Sequence, residues 1–213
     1  MVEQIKVTSR MFFKVAAAVA AIFIAGLAIG FILDSLRTDF LNEELIAANI
    51  ETESFSVSQA YIQDHPEYCA LTAGYIAQLS ETVEQLGKDL AAFGSKMVFI
   101  NSTFLDRRYF IYEIRLWMMI EEYKERCDRD IDTILFFYSD RYDASYAQGL
   151  VLTAIKEKFG DDVMIFSFKH GFDEPALKLV ESNYNVTSSP SLVVNGKLYP
   201  GLMEKAELED ILG

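Results

Sequence analysis

The C-terminal part of this chain contains the segment Val186-Thr-Ser-Ser-Pro190-Ser-Leu-Val-Val-Asn-Gly-Lys-Leu-Tyr-Pro-Gly201, which carries the strongest local structural signals in the sequence. Asn195-Gly196 separates two short runs, Ser191 to Val194 and Lys197 to Tyr199. An Asn-Gly pair between apolar runs is the strongest short-range signal for a β-hairpin, because both residues tolerate a positive φ. The stretch therefore predicts two antiparallel strands directly after a proline.

The residues around this hairpin predict alternating strands and helices. Ile131 to Tyr138 (IDTILFFY) and Val163 to Phe168 are apolar, partly β-branched runs typical of buried strands. Helices are predicted over Ala144 to Phe159, Glu174 to Tyr184 and Met203 to Leu212. The order is βαβαββα, and the first two strands should be parallel with a right-handed crossover because a helix joins them.

This order, with Pro190, Asn195-Gly196 and Gly201, resembles the thioredoxin superfamily over about Asp130 to Gly213. The resemblance implies an α/β thioredoxin-like domain in which Pro190 is a cis-proline. It also implies that the backbone of Ser189 faces a groove that can pair with an extended peptide.

The reactive motif of that family is Cys-x-x-Cys at the turn from the first strand into the first helix, and here Tyr142 and Ser145 stand at those positions. Neither residue forms a disulfide or a thiolate, so the resemblance favours the fold and argues against dithiol chemistry. Ser145 is interpreted as a helix cap, and no catalytic residue is predicted. Tyr142, Tyr146 and Tyr199 can supply aromatic contact area around the groove, and ordinary half-buried packing explains them equally well.

The middle region, residues 34–129, is predicted to be all-α. Long helices are expected from Pro66 to about Phe93, with Gly94 as C-cap, and from about Phe104 to Arg126. Their apolar residues recur at steps of three and four, which indicates an antiparallel hairpin with a coiled-coil-like seam. One or two helices are expected from Phe40 to Ala60, and in the second case they are separated by a break near Glu53-Ser54.

The two cysteines lie at opposite ends of the predicted hairpin helices. Cys69 is at the start of the first and Cys127 at the end of the second, so an antiparallel arrangement brings them together. We predict a Cys69–Cys127 disulfide, which in the chain-entropy model contributes on the order of 4 kcal/mol. Two unrelated buried thiols or a redox-active pair are the alternatives.

Residues 15–33 carry no charge and are long enough, at ~1.5 Å per residue, to cross the ~30 Å core of a bilayer. A cleaved signal peptide is the alternative, with Gly26-Leu27-Ala28 as a passable cleavage site. Lys6, Arg10 and Lys14 precede the span, so the positive-inside rule predicts a single-pass protein with its N-terminus in the cytoplasm and residues 34–213 outside. Gly26 and Gly30 form a GxxxG pattern that would suit a homo-oligomer, but small residues are common in membrane spans, and this simpler explanation is favoured.

The predicted organisation is thus a cytoplasmic segment 1–14, a transmembrane helix 15–33, a helical region 34–129 and a thioredoxin-like domain 130–213. The chain has 19 Lys+Arg against 32 Asp+Glu, a net charge of −13, which argues against nucleic acid as a partner. Two cysteines and two histidines leave little material for a metal site, and no metal or cofactor is expected. Asn101-Ser-Thr103 matches the N-glycosylation sequon.

Three functions remain open on the sequence. The first is a membrane-anchored, extracytoplasmic, redox-inactive thioredoxin-like module that binds a protein or peptide and is not an enzyme. The second is a thiol–disulfide oxidoreductase, or a degenerate member of such a family, that uses Cys69 and Cys127. The third is a structural oligomer. A Cys69–Cys127 disulfide that is permanent and unreactive would exclude the oxidoreductase and leave the binding module.

Overall fold

A computed structural model describes residues 9–96 and 103–213, and within residues 9–12, 32–49, 51 and 91–96 it describes the backbone only. The sequon at Asn101 lies outside the described residues. The chain divides into two compact units, one that ends at Asp64 and one from His65 to Gly213.

The first unit contains helix α1 (Ser9–Gln63), which is continuous. The predicted break near Glu53-Ser54 is therefore wrong: neither residue forbids helical geometry, and the Ser56 hydroxyl donates to the Glu53 carbonyl at 2.8 Å inside the helix. The segment Phe13–Phe31 is long and apolar enough to cross a membrane, and none of it is buried within the protein. A signal sequence near an N-terminus has the same properties.

The second unit consists of a helical hairpin followed by alternating strands and helices. The elements are α2 (Tyr68–Lys96), α3 (Thr103–Cys127), β1 (Asp132–Tyr138), α4 (Asp143–Phe159), β2 (Val163–Lys169), α5 (Pro175–Tyr184), β3 (Ser191–Val194), β4 (Lys197–Pro200) and α6 (Lys205–Leu212). The predicted βαβαββα order is confirmed, with ends that move by one or two residues.

The hairpin helices α2 and α3 are antiparallel, since Cys69 in the first turn of α2 is bonded to Cys127 in the last turn of α3. Leu79, Val83 and Leu86 of α2 are buried at the predicted spacing. The expectation that Gly94 caps α2 is wrong, because the helix runs through it to Lys96. A glycine inside a helix costs only about 1 kcal/mol relative to alanine, so the helix need not stop there.

The four strands form one mixed sheet in the order β2-β1-β3-β4. β1 and β2 are parallel, β1 and β3 are antiparallel, and β3 and β4 form a hairpin. The turn of that hairpin has a φ of 48° at Asn195 and 81° at Gly196, as the Asn-Gly signal predicts. This C-terminal domain resembles thioredoxin.

Helices cover both faces of the sheet. On one face, Ile134 of β1 packs with Ile155 of α4 and Leu208 of α6, and all three are fully buried. On the other face, the ring of Phe110 in α3 lies 6.1 Å from that of Phe168 in β2. The helical hairpin is therefore part of the same core as the sheet.

Polar contacts join the hairpin to the sheet domain as well. Arg107 of α3 donates to the Asp173 carbonyl at 2.7 Å and pairs with the buried Glu174 at 3.2 Å. Thr133 of β1 donates to the Glu121 carboxylate of α3 at 2.5 Å. Because such contacts require a fixed orientation, they set the position of α3 over the sheet.

Candidate functional site

The turn from β1 into α4 contains both positions that the resemblance assigned to the reactive motif. Tyr142 directly precedes α4 and its side chain is 58% exposed. Ser145 lies in the first turn of α4, is 5% exposed, and its hydroxyl oxygen accepts the Ser139 N–H at 3.0 Å. The two side chains thus point to different environments, one to solvent and one into the turn.

The interpretation of Ser145 as a helix cap is wrong. Tyr142 occupies the N-cap position of α4 and makes no capping bond through its side chain. The Ser145 hydroxyl holds a backbone group that lies before the helix, so it fixes the shape of the turn. It is buried and has no neighbouring base among its described partners, which does not suit a nucleophile.

A groove of about 940 Å³ opens beside this turn. Its floor includes Phe136 and Ser167 from the adjacent strands β1 and β2. Tyr142 and Tyr146 at the start of α4 and Tyr109 of α3 also line it. The groove therefore lies between the β1–α4 turn and the helical hairpin.

One wall of this groove carries an exposed apolar stripe. Tyr146 and Leu150 lie four residues apart in α4, Tyr142 directly precedes the helix, and the three residues are 74%, 56% and 58% exposed. A step of four places the side chains of Tyr146 and Leu150 on one face of the helix. We call these three residues the α4 stripe.

Charged residues surround the mouth of the groove. Asp140 forms an ion pair with Lys169. Burial, and the nearby Asp140, raise the pKa of Tyr138 above its ordinary value. Tyr138 therefore lines the groove as a neutral hydroxyl at physiological pH.

The peptide bond between Ser189 and Pro190 is cis. The Pro190 carbonyl already accepts the Gly201 N–H at 2.8 Å, and neither Ser189 nor Pro190 lines the 940 Å³ groove. Tyr199 packs against the core on the α4 and α6 face and is also absent from the groove lining. The structure thus brings Tyr142, Ser145 and Tyr146 together and leaves the cis-proline loop outside this groove.

A second cavity, of about 660 Å³, lies between α2, α3 and the outer edge of β2. Glu113 of α3 lines it, is 4% exposed, and has no hydrogen-bond partner for its Oε2 atom. The other contacts of the carboxyl group are the Tyr109 hydroxyl and the Ser167 N–H, which donate to it. Burial raises the pKa of Glu113 to about 8, against the opposing effect of these two donors.

The two cysteines form the predicted disulfide and are 58 positions apart in sequence. The guanidinium of Arg126 lies 3.5 Å from the centre of the Tyr68 ring, next to the bridge. Neither cysteine lines either of the two cavities. Among the residues that the structure describes, no group of three or more His, Cys, Asp or Glu side chains is arranged to hold a metal ion.

Part of the chain is similar to solved thioredoxins. A chloroplastic thioredoxin z matches with a TM-score of 0.35 and 16% identity, over 44% of this chain and 86% of that one. The germline-specific thioredoxin Deadhead of Drosophila melanogaster matches with a TM-score of 0.32 and 13% identity, over 44% and 90% of the two chains. Thioredoxin O2 of Arabidopsis thaliana, in its oxidized state, matches with a TM-score of 0.33 and 16% identity, over 47% and 85%.

No protein-family model matches the chain, and no curated protein matches it. The similarities to solved structures are too low to carry an argument about activity. The thioredoxin-like description of the C-terminal domain follows instead from its own strand order, connections and cis-proline.

Sequence reasoning missed two features of this region. Glu113 is the single acid in the apolar run from Tyr109 to Ile114, and its position four residues after Tyr109 was the available signal. Leu150 was missed as an extension of the Tyr142 and Tyr146 pair, although the step of four is visible in the sequence. Both signals are helical spacings in the sequence. Such a spacing can be interpreted only when it is known which face of the helix other elements cover.

Proposed function

We propose that this protein is a redox-inactive thioredoxin-like binding module, held outside the cytoplasm by a membrane-spanning helix at residues 15–33. Its ligand is a segment of a partner protein that contacts the α4 stripe and enters the 940 Å³ groove. The observation that carries the proposal is the exposed stripe beside a turn that contains no cysteine.

The exposure of the stripe supports a role in binding. Tyrosine offers a large amphipathic contact area at low cost in conformational entropy, and it is enriched at protein interfaces. Three large side chains at the start of α4, each more than half exposed, also expose apolar surface to water, a pattern typical of interaction sites. Phe136 and Leu90 line the adjoining groove, so an apolar anchor from the partner would find apolar surroundings.

The position of the cysteines supports the absence of dithiol chemistry. Thiol–disulfide exchange needs a thiolate that can attack a client disulfide. Both cysteines of the chain are paired at the base of the hairpin, and Tyr142 and Ser145 at the turn carry no sulfur. The resemblance to thioredoxin then supports a scaffold for recognition without its redox centre.

The charge distribution supports the proposed topology. Three cations precede the uncharged residues 15–33, and Arg37 is the nearest cation after them, beside Asp34 and Asp39. Cationic flanks are retained in the cytoplasm, so the second unit would face the other side. A disulfide is also typical of compartments outside the cytoplasm.

Site-specific photo-crosslinking in the cells that make this protein tests the binding role. A photoreactive phenylalanine analogue replaces Tyr146, and the matched control places the same analogue at Leu179 of α5. The two side chains are 74% and 73% exposed, so they offer the crosslinker equal access to solvent. We expect a discrete adduct from position 146 and none from position 179.

The mass of the adduct identifies the class of partner. An adduct of twice the 24.2 kDa chain would indicate a homo-oligomer, and any other discrete mass indicates a different protein. Equal adducts at both positions, or none at position 146, would contradict the proposed binding surface.

The alternative is an oxidoreductase that uses Cys69 and Cys127, whose sulfurs form the one bridge in the chain. Alkylation of the folded protein under mild reduction distinguishes the two functions. A structural bridge stays closed and yields no alkylated cysteine. Rapid labelling of one cysteine together with reduction of an insulin disulfide would establish the oxidoreductase instead.

A further inference from the structure

The outer edge of β2 is only partly closed by side chains. β2 is an end strand of the sheet, so every second residue presents its N–H and C=O away from β1. Lys156 donates to the Val163 carbonyl at 2.9 Å, and Glu113 accepts the Ser167 N–H. Ile165 lies midway between Val163 and Ser167, whose backbone groups these side chains bind, and it is on the same edge of β2. It also lines the 660 Å³ cavity.

The cavity is acidic. Among the described residues that line it, Glu84, Glu113 and Asp161 are acids and Lys156 is the one cation, while Glu84 also pairs at 2.6 Å with Lys88, which lies outside the lining. The Lys156 ammonium is engaged by the Gly160 and Val163 carbonyls at 2.6 and 2.9 Å and lies 3.7 Å from Asp161. The whole chain also carries a net charge of −13. A cationic ligand is therefore the electrostatic complement of this cavity.

Glu113 gives the cavity a specific polar anchor. Its side chain is 4% exposed, and its Oε2 atom has no partner among the described residues. A buried polar atom without a hydrogen bond is costly, so a donor from a ligand would recover free energy that the unoccupied cavity lacks. A lysine or arginine side chain supplies such a donor and a matching charge.

From these observations we propose that this cavity is a second binding site, which takes an extended basic segment of a partner protein. The segment pairs its backbone with Ile165 at the β2 edge and places a lysine or arginine side chain against Glu113. The exposed N–H and C=O of an edge strand are what β-strand addition uses. This site does not depend on the ligand proposed for the α4 stripe.

Peptide binding to the full chain in zwitterionic lipid nanodiscs tests the proposal. The probe is a fluorescent, acetylated and amidated hexapeptide of sequence TKVKVT, which alternates cationic and apolar side chains as an extended strand. The matched probes are TEVEVT, which reverses the charge, and TKVKVT with N-methylated valines, which keeps the charge and removes backbone donors. Free butylamine tests whether a small amine is sufficient.

We expect saturable binding of TKVKVT, no binding of TEVEVT, and at least about tenfold weaker binding of the N-methylated peptide. Glu113→Gln keeps the shape of the side chain and should weaken TKVKVT binding at least about tenfold, because it removes the charged acceptor. Tyr146→Ala, on the separate α4 stripe, should leave this affinity unchanged.

The pH dependence provides a second readout. An approaching cation favours the ionised carboxyl group, so binding should release a proton from Glu113 and strengthen by up to about tenfold per pH unit between pH 6 and about 8. Tyr109 and the Ser167 N–H contact the carboxyl, and Glu84, Tyr123, Lys156 and Asp161 line the same cavity. Glu113→Gln should abolish the dependence.

Three results would overturn the proposal. Absence of saturable TKVKVT binding up to about 1 mM would remove the site. Equal binding by wild type and Glu113→Gln would remove its anchor. Full displacement of the peptide by butylamine at matched concentration, or equal binding of the N-methylated peptide, would show that backbone pairing is not used.

Discussion

Glu113 shows how one buried carboxyl group can link the stability of this protein to pH. Its pKa is raised from 4.5 to about 8 because burial penalises the ionised form. In the unfolded chain the same group ionises near pH 4.5, so between these values the unfolded state binds fewer protons than the folded one. The contribution of Glu113 to the free energy of unfolding is therefore greatest below about pH 4.5, and it decreases as the pH rises to about 8.

We therefore expect the free energy of unfolding of the wild type, relative to Glu113→Gln, to fall by about 4 kcal/mol across this pH range. Urea unfolding followed by fluorescence of the single tryptophan, Trp117, measures it, because its ring packs against Tyr184 at 6.1 Å. Glu84→Gln is the control, since Glu84 is exposed and its pKa is lowered by Lys88. A difference between wild type and Glu113→Gln that does not change with pH would show that Glu113 is not held protonated.

The residues of the turn also show where sequence reasoning stops. The position of Ser145 near a helix start predicted a cap, because serine caps helices often. Its actual partner, the Ser139 N–H, precedes the helix and is reached only after the strand has been placed. A side chain's partner outside its own element depends on tertiary structure, and neither composition nor periodicity encodes it.

At the scale of elements, α3 belongs to the core of the sheet domain. Phe110 is fully buried, with its ring 5.1 Å from Phe172 and 6.1 Å from Phe168. Phe110→Ala should destabilise the second unit by about 3–5 kcal/mol, since it leaves a cavity where a whole ring was packed. Phe104→Ala in the same helix is the matched control, because Phe104 is 64% exposed.

The Phe104 variant should change stability by less than about 0.5 kcal/mol. Urea unfolding of both variants measures the contrast. Equal stability of the two variants would show that α3 does not contribute to the hydrophobic core of the sheet domain.

The disulfide stabilises the base of the helical hairpin. Replacing both Cys69 and Cys127 with serine should lower the free energy of unfolding by about 4 kcal/mol. The disulfide joins positions 58 apart in sequence, and without it the unfolded chain gains conformational entropy. Wild type treated with a reducing agent is the matched comparison and should show the same loss. A double serine variant as stable as the oxidised wild type would mean that packing alone holds the hairpin base.

Most elements of the second unit were predictable because each has its own local signal. Asn195-Gly196 fixed the hairpin, Pro190 marked its start, and the apolar runs of β1 and β2 marked the parallel pair. The contact between α3 and the sheet was not predictable, since apolar residues on more than one face of α3 show only that something covers them. The identity of the covering element is a property of the assembled fold.

At the scale of the whole molecule, the apolar segment Phe13–Phe31 and the charges before it determine the expected topology. Protease added to intact cells should digest the part that follows the segment and leave a short N-terminal fragment. An epitope tag at the N-terminus and another at the C-terminus distinguish the two sides in one experiment, with membrane-permeabilised cells as the control. Protection of the C-terminal tag in intact cells would reverse the orientation.

The disulfide also has a mechanical consequence. Tension applied to the two ends of the chain would pass from residue 69 to residue 127 through the sulfur atoms, and the chain between these two positions, which are 58 apart in sequence, would stay slack. At ~3.4 Å per extended residue, about 200 Å of contour length is thereby shielded from extension. A pulling experiment on the oxidised protein would lack this length in its final contour, and the reduced protein would regain it. Helices α2 and α3 thus lie outside the load path, and force reaches β1 directly from the base of the hairpin.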